Sequence, residues 1–350
     1  MKTDNSDALE TIGNNTEAPA EKKELLNDKY IIVAGSNGYL GSYVCRELLK
    51  QNYKVIGFKY PHFASVIIKN ENIEYIHCDI RKNIIKQEGI FEIVNDKNIL
   101  GIINTAALLG SSDYDSNYAV NVEGVKNIMD FAKEIDVRRI IHISSVVVLK
   151  DIKGPYRQTK LEGHKILEKS SYDYTVFIPA MILGPESLGL NRILKNVFRI
   201  PLFVPLIGNG KQTQHPIYVK DFAHCIVASI EAEQTYQKTY EIAGDTVISF
   251  KDLVTLILKL KNRKTIFIPI PPSFAKLLGR LFQKTMKVPL FTAEHVKGIL
   301  LDSHLSTNPI KKDLGFEAHE LTEALNQSLK IVGDDWDYYL NPREERTIEV

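Results

Sequence analysis

From Tyr30 to Ile178 the chain alternates between short runs dominated by apolar residues and longer stretches whose apolar residues recur every three or four positions. The short runs Tyr30–Ala34, Lys54–Phe58, Ile73–His77, Leu100–Asn104, Arg139–Ile143 and Thr175–Ile178 predict six strands. Leu40–Lys50, Ser116–Ile135 and Pro155–Lys169 predict the helices between them. Strands that lack polar alternation are covered on both faces, and intervening helices supply the cover. The fold class is therefore α/β, a doubly wound parallel sheet.

After Pro179 the punctuation changes. Pro and Gly cluster at Gly184-Pro185, Pro201, Pro205, Gly208–Gly210 and Pro269–Pro272, and the predicted elements become shorter and mixed. This predicts a smaller lobe built from Ser187–Gly210 and Ser249–Leu329, while Ile217–Glu231 and Thr239–Ile242 return to the sheet. The organisation expected is a disordered tail over 1–28, a dinucleotide-binding core over 29–186, a substrate lobe over 187–332 with 213–245 returning to the core, and a charged tail over 333–350.

Charge narrows the choice of partners. Lys plus Arg number 44 and Asp plus Glu 43, a net charge of +1. No global field marks nucleic acid or a membrane, although a local patch is left open. The basic run "KLKNRK" (Lys259–Lys264) lacks interleaved aromatics and reads as a solvated edge. Phe274, Leu277, Leu278, Leu281 and Phe282 form a helical apolar stripe, read as lobe core or a lid. The longest apolar run, around Ile200–Ile207, is interrupted by Pro201 and Pro205 and falls short of a membrane span. Cys45, Cys78 and Cys225 are odd in number and far apart, which favours a reducing compartment. The first residues lack both the apolar core of a secretion signal and the Arg-rich, acid-poor character of a mitochondrial one. A cytoplasmic protein acting on a small molecule is expected, and a homodimer is left open. His and Cys show no paired metal-ligand spacing, so no metal is expected.

The chemistry concentrates at two places. In "IIVAGSNGYLGSYVCRELL", a strand meets Gly35, Gly38 and Gly41 and then a helix. Gly35 permits the tight turn, Gly38 the approach of a ligand to the backbone, and Gly41 close packing of helix on strand. The free N–H groups of the first helical turn then attract a pyrophosphate. The second strand ends at Lys59, where an acidic residue often binds the adenosine ribose. An ammonium there would attract a 2′-phosphate, a slight lean to NADP over NAD. Asp79, after the third strand, is placed to accept from the adenine amino group or to cap the next helix.

The second place is "HISSVVVLKDIKGPYRQTKLEGHKIL". Tyr156 and Lys160 lie one helical turn apart on one face, and Ser144 and Ser145 end the fifth strand, at the sheet edge that holds the glycine loop. Reduction of a carbonyl needs a hydride on carbon and a proton on oxygen. Bringing a phenol from a pKa near 10 to about 7 takes roughly 4 kcal/mol. One ammonium at about 4 Å supplies up to roughly that at an effective dielectric of about 20. Tyr156 is thus the expected acid/base, Lys160 its tuner and a holder of the nicotinamide ribose, and Ser145 the group that polarises the substrate oxygen.

These motifs resemble the short-chain dehydrogenase/reductase superfamily, on its extended or atypical NAD-dependent epimerase/dehydratase-like side. "GSNGYLG" resembles its cofactor loop, "HISS" and "YRQTK" its Ser and Tyr-x-x-x-Lys signatures, and "INTAA", "NVEGVKNIM" and "IPAMILGP" three further segments. The likeness runs from about Lys29 to Ile331 and implies a Rossmann fold with Ser145, Tyr156 and Lys160 as catalytic residues. Cofactor contacts are expected from Asn37, Tyr39, Leu40, Ile80, Ala106, Ala107, Asn121 and Pro179, and pocket walls at Leu108, Met181 and Tyr218. Gln214 and Ile178 stand where nucleotide-sugar epimerases usually have Arg, and the gap from Ser145 to Tyr156 is short for such enzymes. Those departures imply an oxidoreductase acting on a carbonyl or hydroxyl. The alternatives are a nucleotide-sugar epimerase/dehydratase and a non-catalytic nucleotide-bound accessory or sensor protein. The run "IPIPPSFAKLLGRLFQ" is similar to the accessory-subunit branch of respiratory complex I.

Overall fold

The computed structural model describes residues 28–60, 66–108, 111, 113–198, 203–285, 296, 298, 300–330 and 346–350. Of the tails expected over 1–28 and 333–350, residues 1–27 and 333–345 lie outside the described residues, as do 331 and 332. Seven strands form one sheet: β1 (Tyr30–Ala34), β2 (Lys54–Lys59), β3 (Ile73–His77), β4 (Ile99–Asn104), β5 (Arg139–Ile143), β6 (Asp173–Pro179) and β7 (Lys238–Ile242). Their order is β7-β6-β5-β4-β1-β2-β3, and every ladder in it is parallel. This is a Rossmann-type sheet, with its topological switch between β1 and β4.

Successive side chains of each strand point to opposite faces, so each face gathers its own core. Ile31 and Val33 of β1 join Ile103, Ile141 and Phe177 under α1 (Tyr39–Lys50) and α5 (Val219–Ala228). Tyr30, Ile32 and Ala34 face the other way, with Ile102, Ile140 and Val176, under α2 (Gly124–Glu134) and α3 (Pro155–Glu168). Arg139 is buried in β5; its guanidinium donates to the carbonyls of Ser229 and Ile230, just beyond α5, and to Thr175 and Thr235. Those carbonyls carry the negative end of the helix dipole, which suits a cation.

The lobe has its own core of Leu190, Leu194, Leu253, Ile257 and Leu325, from α4 (Leu188–Phe198), α6 (Phe250–Leu260) and the helix Leu321–Lys330. Strand Phe203–Ile207 pairs in parallel with Ile266–Ile270, which leads into α7 (Pro272–Thr285). Two features differ from the sequence reading. Ile310 and Phe316 pack into the sheet's core rather than the lobe. Arg346–Glu349, expected to be tail, pairs in parallel with a short strand, Val66–Lys69.

Candidate active site

β1 ends in the glycine loop. Gly35 sits at φ +78°, where a side chain would be strained, and a Cβ there would come within 3.0 Å of Ala106 backbone atoms and Thr105 Oγ1. A Cβ on Gly41 would lie 2.1 Å from the Gly35 carbonyl oxygen, so α1 can approach the loop only as glycine. α1 starts at Gly38 with no capping side chain, so its first-turn N–H groups have no side-chain acceptor from the cap. A backbone surface that no side chain fills, at a helix N-terminus, fits a pyrophosphate.

One cavity of about 1060 Å³ runs from this loop to the lobe. Gly35, Asn37, Gly38, Tyr39 and Leu40 line it, as do Asp79, Ile80, Ala106, Ala107 and Leu108. Ser145, Tyr156, Pro179 and Met181 complete its wall beyond the loop. The structure thus brings most of the sequence-predicted site residues to the carboxyl edge of the sheet.

Several expected residues do not line the cavity. Lys59 ends β2, but Tyr60 and Arg81 line the cavity there instead. Arg81 grips Asp79 through Nε and Nη2, each at 2.8 Å, and its guanidinium lies 5.0 Å from the Tyr60 ring centroid. That hydrogen-bonded pair holds the Asp79 carboxyl below the usual carboxylate range. The Asn37 amide is occupied as a clasp, donating to the Tyr60 carbonyl at 3.0 Å. Gly41 is packed under the loop. Asn121 lies in a π-helical turn (Ala119–Glu123) and donates to Thr159 Oγ1 at 3.1 Å. Tyr218 is a correction: it is 3% exposed and packs edge-on against His319 within the sheet's core, so it is not a pocket wall.

The Tyr–Lys pair also differs from expectation. Lys160 lies fully buried behind the wall and donates from Nζ to the Ile143 carbonyl at 2.7 Å. Burial pulls its pKa down to about 7. The Tyr156 phenol is pushed up to about 12 by burial, an effect its hydrogen bond with Ser145 partly offsets. Desolvation is the leading cause for both groups, and the phenol keeps its proton at neutral pH. Behind Lys160, α3 continues with His164, whose Nδ1 is 3.4 Å from Ser144 Oγ and whose Nε2 is 3.0 Å from Glu168. His142 is held low first by burial and then by Lys160, and His164 by burial that Glu168 partly offsets.

The cavity's far end is the part the sequence reading left almost blank. Ile193 and Val197 from α4, Val204 and Ile207 from the lobe strand, and Phe250 and Val254 from α6 line it. Gln214 lines it as well. The helical spacing of Ile193 with Val197 and of Phe250 with Val254 marks each pair as sharing a face, but does not say that the face meets a cavity.

A glycine loop under a bare helix N-terminus, with a Ser–Tyr pair on the same cavity, defines a dinucleotide-type site on a Rossmann sheet. The comparisons specify the class further. The model of the "NAD dependent epimerase/dehydratase family" matches residues 31–243, and the chain belongs to that family. A similar curated protein is the mitochondrial "NADH dehydrogenase [ubiquinone] 1 alpha subcomplex subunit 9" of Dictyostelium discoideum, 24% identical over 81% of this chain and 82% of the relative. Among solved structures, an epimerase of Methanothermobacter thermautotrophicus superposes with TM-score 0.70 at 16% identity, covering 91% of this chain and 96% of that one. The dTDP-glucose 4,6-dehydratase of Bacillus anthracis, in complex with NAD, gives 0.66 at 14% identity, covering 90% and 100%. Both structures share the fold.

Proposed function

We propose that the protein is an NAD(P)-dependent oxidoreductase acting on a carbonyl or hydroxyl of an apolar substrate. The observation that carries this reading is the Ser145–Tyr156 pair on the wall of the cavity that starts at the glycine loop. First-turn amides of α1 would hold the pyrophosphate, Asp79 and Ile80 the adenine, and Ala106, Ala107 and Pro179 the rest of the dinucleotide. Bound there, the nicotinamide supplies hydride chemistry.

Tyr156 retains its proton at neutral pH, which suits donation to a carbonyl oxygen. Ser145 hydrogen-bonds the same oxygen as charge gathers on it. In the reverse direction Tyr156 accepts the proton, and Lys160 supports the resulting phenolate whenever it is charged. The apolar far wall favours a hydrocarbon-like substrate over a sugar nucleotide. Gln214 takes the position of a diphosphate-binding cation; among the described residues the cavity's cations besides Arg81 are Lys153 and Arg157, beside Tyr156. NADP is slightly preferred: the adenosine end presents Tyr60 and Arg81, and its one carboxylate, Asp79, is already neutralised by Arg81.

A second reading, a nucleotide-loaded accessory protein without turnover, is favoured by the Dictyostelium relative, which aligns along four-fifths of both chains. One experiment separates the two. Calorimetry with NAD, NADH, NADP and NADPH is combined with mass spectrometry of co-purified small molecules and turnover of a panel of apolar alcohols and ketones. Tyr156→Phe should keep dinucleotide affinity and lose about 10²–10⁴-fold in turnover. A wild type that binds dinucleotide but turns over no member of the panel favours the accessory reading. Absence of dinucleotide binding overturns both.

A further inference from the structure

Between Asp252 and Glu294 the sequence contains no carboxylate and eight cations, in a chain whose net charge is +1. Lys259, Lys261 and Lys264 precede the strand Ile266–Ile270, and Lys276 and Arg280 lie on α7. On α7, Ala275 is buried and faces the lobe, whereas Phe274, Leu277 and Leu281 are 51%, 60% and 52% exposed. At about 100° per residue those three positions fall within about 60° of one another, and Arg280 adjoins them on the helix surface. The strand feeding the helix repeats the pattern: Ile266 and Ile268, two apart and therefore on one face, are 72% and 42% exposed.

Large apolar side chains held in water on two consecutive elements mark a surface that another body covers. The charge identifies that body. A second copy of the same face would set Lys276 and Arg280 against their own symmetry mates, since a two-fold interface is self-complementary and like charges repel. A surface that offers an apolar layer beneath a sheet of negative charge satisfies both features, and an anionic bilayer is such a surface. Among the described residues no helix is long and apolar enough to cross a membrane, so the contact lies in the plane of the interface.

We propose that this face of the lobe rests on an anionic lipid bilayer, with Phe274, Leu277 and Leu281 at the headgroup–acyl boundary and Lys276 and Arg280 at the lipid phosphates. The strand Ile266–Ile270, which leads into α7, pairs with the strand that contributes Val204 and Ile207 to the cavity wall. An apolar substrate dissolved in the bilayer then has a short route to the cavity; that corollary rests on the oxidoreductase reading, whereas the docking does not.

The test is flotation of the full chain with vesicles of phosphatidylcholine alone and with about 30% phosphatidylglycerol added. The protein should float with the anionic vesicles at low salt, be released by high salt, and bind neutral vesicles at least about tenfold more weakly. Leu277→Asp/Leu281→Asp should lower anionic-vesicle binding at least about tenfold, with an unchanged melting temperature by circular dichroism. Lys276→Glu/Arg280→Glu tests the same contact through charge alone and should lose binding by a similar factor. Equal partitioning onto neutral and anionic vesicles, no flotation at all, or a concentration-dependent dimer that the leucine variant abolishes would each overturn the proposal. No arm uses a nucleotide, so failure here is distinct from failure of the oxidoreductase reading.

Discussion

The sheet and the lobe treat apolar side chains in opposite ways. On the sheet, α1 and α5 turn Leu48, Phe222 and Ile226 fully inward. In the lobe, a strand and a helix hold Ile266, Phe274 and Leu277 in the open. Both halves have a packed core, so the difference is not one of incomplete folding. Both halves bury apolar surface, and part of the lobe's apolar surface also faces outward. On the docking proposed above, the lobe's outward apolar side chains meet another body, whereas those of α1 and α5 stabilise the sheet.

The strongest challenge to that division is a pair of truncations. Phe177→Ala in the sheet should cost about 3–5 kcal/mol by urea denaturation, because Phe177 is fully buried between Phe222 and Tyr240. Phe274→Ala should stay within about 0.5 kcal/mol of wild type. Comparable losses would show that the lobe stripe is core.

Next in size is a pH effect confined to the sheet half. Lys160 falls from an ordinary 10.5 to about 7 on folding. Between those values the unfolded chain binds a proton that the folded one does not, so stability rises with pH across that window, by up to about 1.4 kcal/mol per unit. Tyr156 acts in the opposite sense only above its unfolded value of 10, so it leaves the lower part of the window untouched. Urea midpoints at pH 7 and 8 should differ in wild type and converge in Lys160→Met; nearer pH 9 the buried thiols of Cys45, Cys78 and Cys225, all pushed up by burial, begin to act in the opposite sense. An unchanged difference in Lys160→Met would assign the slope to another group.

Gly41→Ala should cost roughly 1–3 kcal/mol and weaken dinucleotide binding, since its Cβ would fall 2.1 Å from the Gly35 carbonyl oxygen. Calorimetry on the variant checks both, and full affinity would mean that α1 can retreat without disturbing the loop. The smallest effect is expected at Arg81→Ala, which should lower affinity for NADP about tenfold and for NAD less. Equal losses would remove Arg81 as the source of cofactor preference.

The parts of the fold that were legible in the sequence follow a local rule. Uninterrupted apolar runs gave the sheet strands nearly to the residue, and the Gly35–Gly41 spacing gave the loop, because strand cover and turn strain act within a few residues. What was hidden depends on distant partners. Val66–Lys69 is too short to announce itself, and its partner strand lies some 280 residues away. Periodicity showed that Phe274, Leu277 and Leu281 share a side, not which side is left uncovered. The Tyr156–Lys160 spacing was legible too, but not that Lys160 turns to the Ile143 carbonyl or that burial dominates both groups. Tyr60 and Arg81 carry no local signal: Tyr60 lies just past the end of β2, and only the folded sheet brings it beside Arg81 on the wall.

The strand order has a further consequence. Its switch between β1 and β4 draws the cavity wall from separate crossover units, and the lobe adds Val204 and Val254, so no single unit contains the whole wall. Recognition of a nucleotide is then a property of the assembled sheet, and the nucleotide is in turn a ligand for the native state alone. At 100 times its dissociation constant it would add about 2.7 kcal/mol to unfolding, so cellular nucleotide levels would set how long this protein survives as well as what it does.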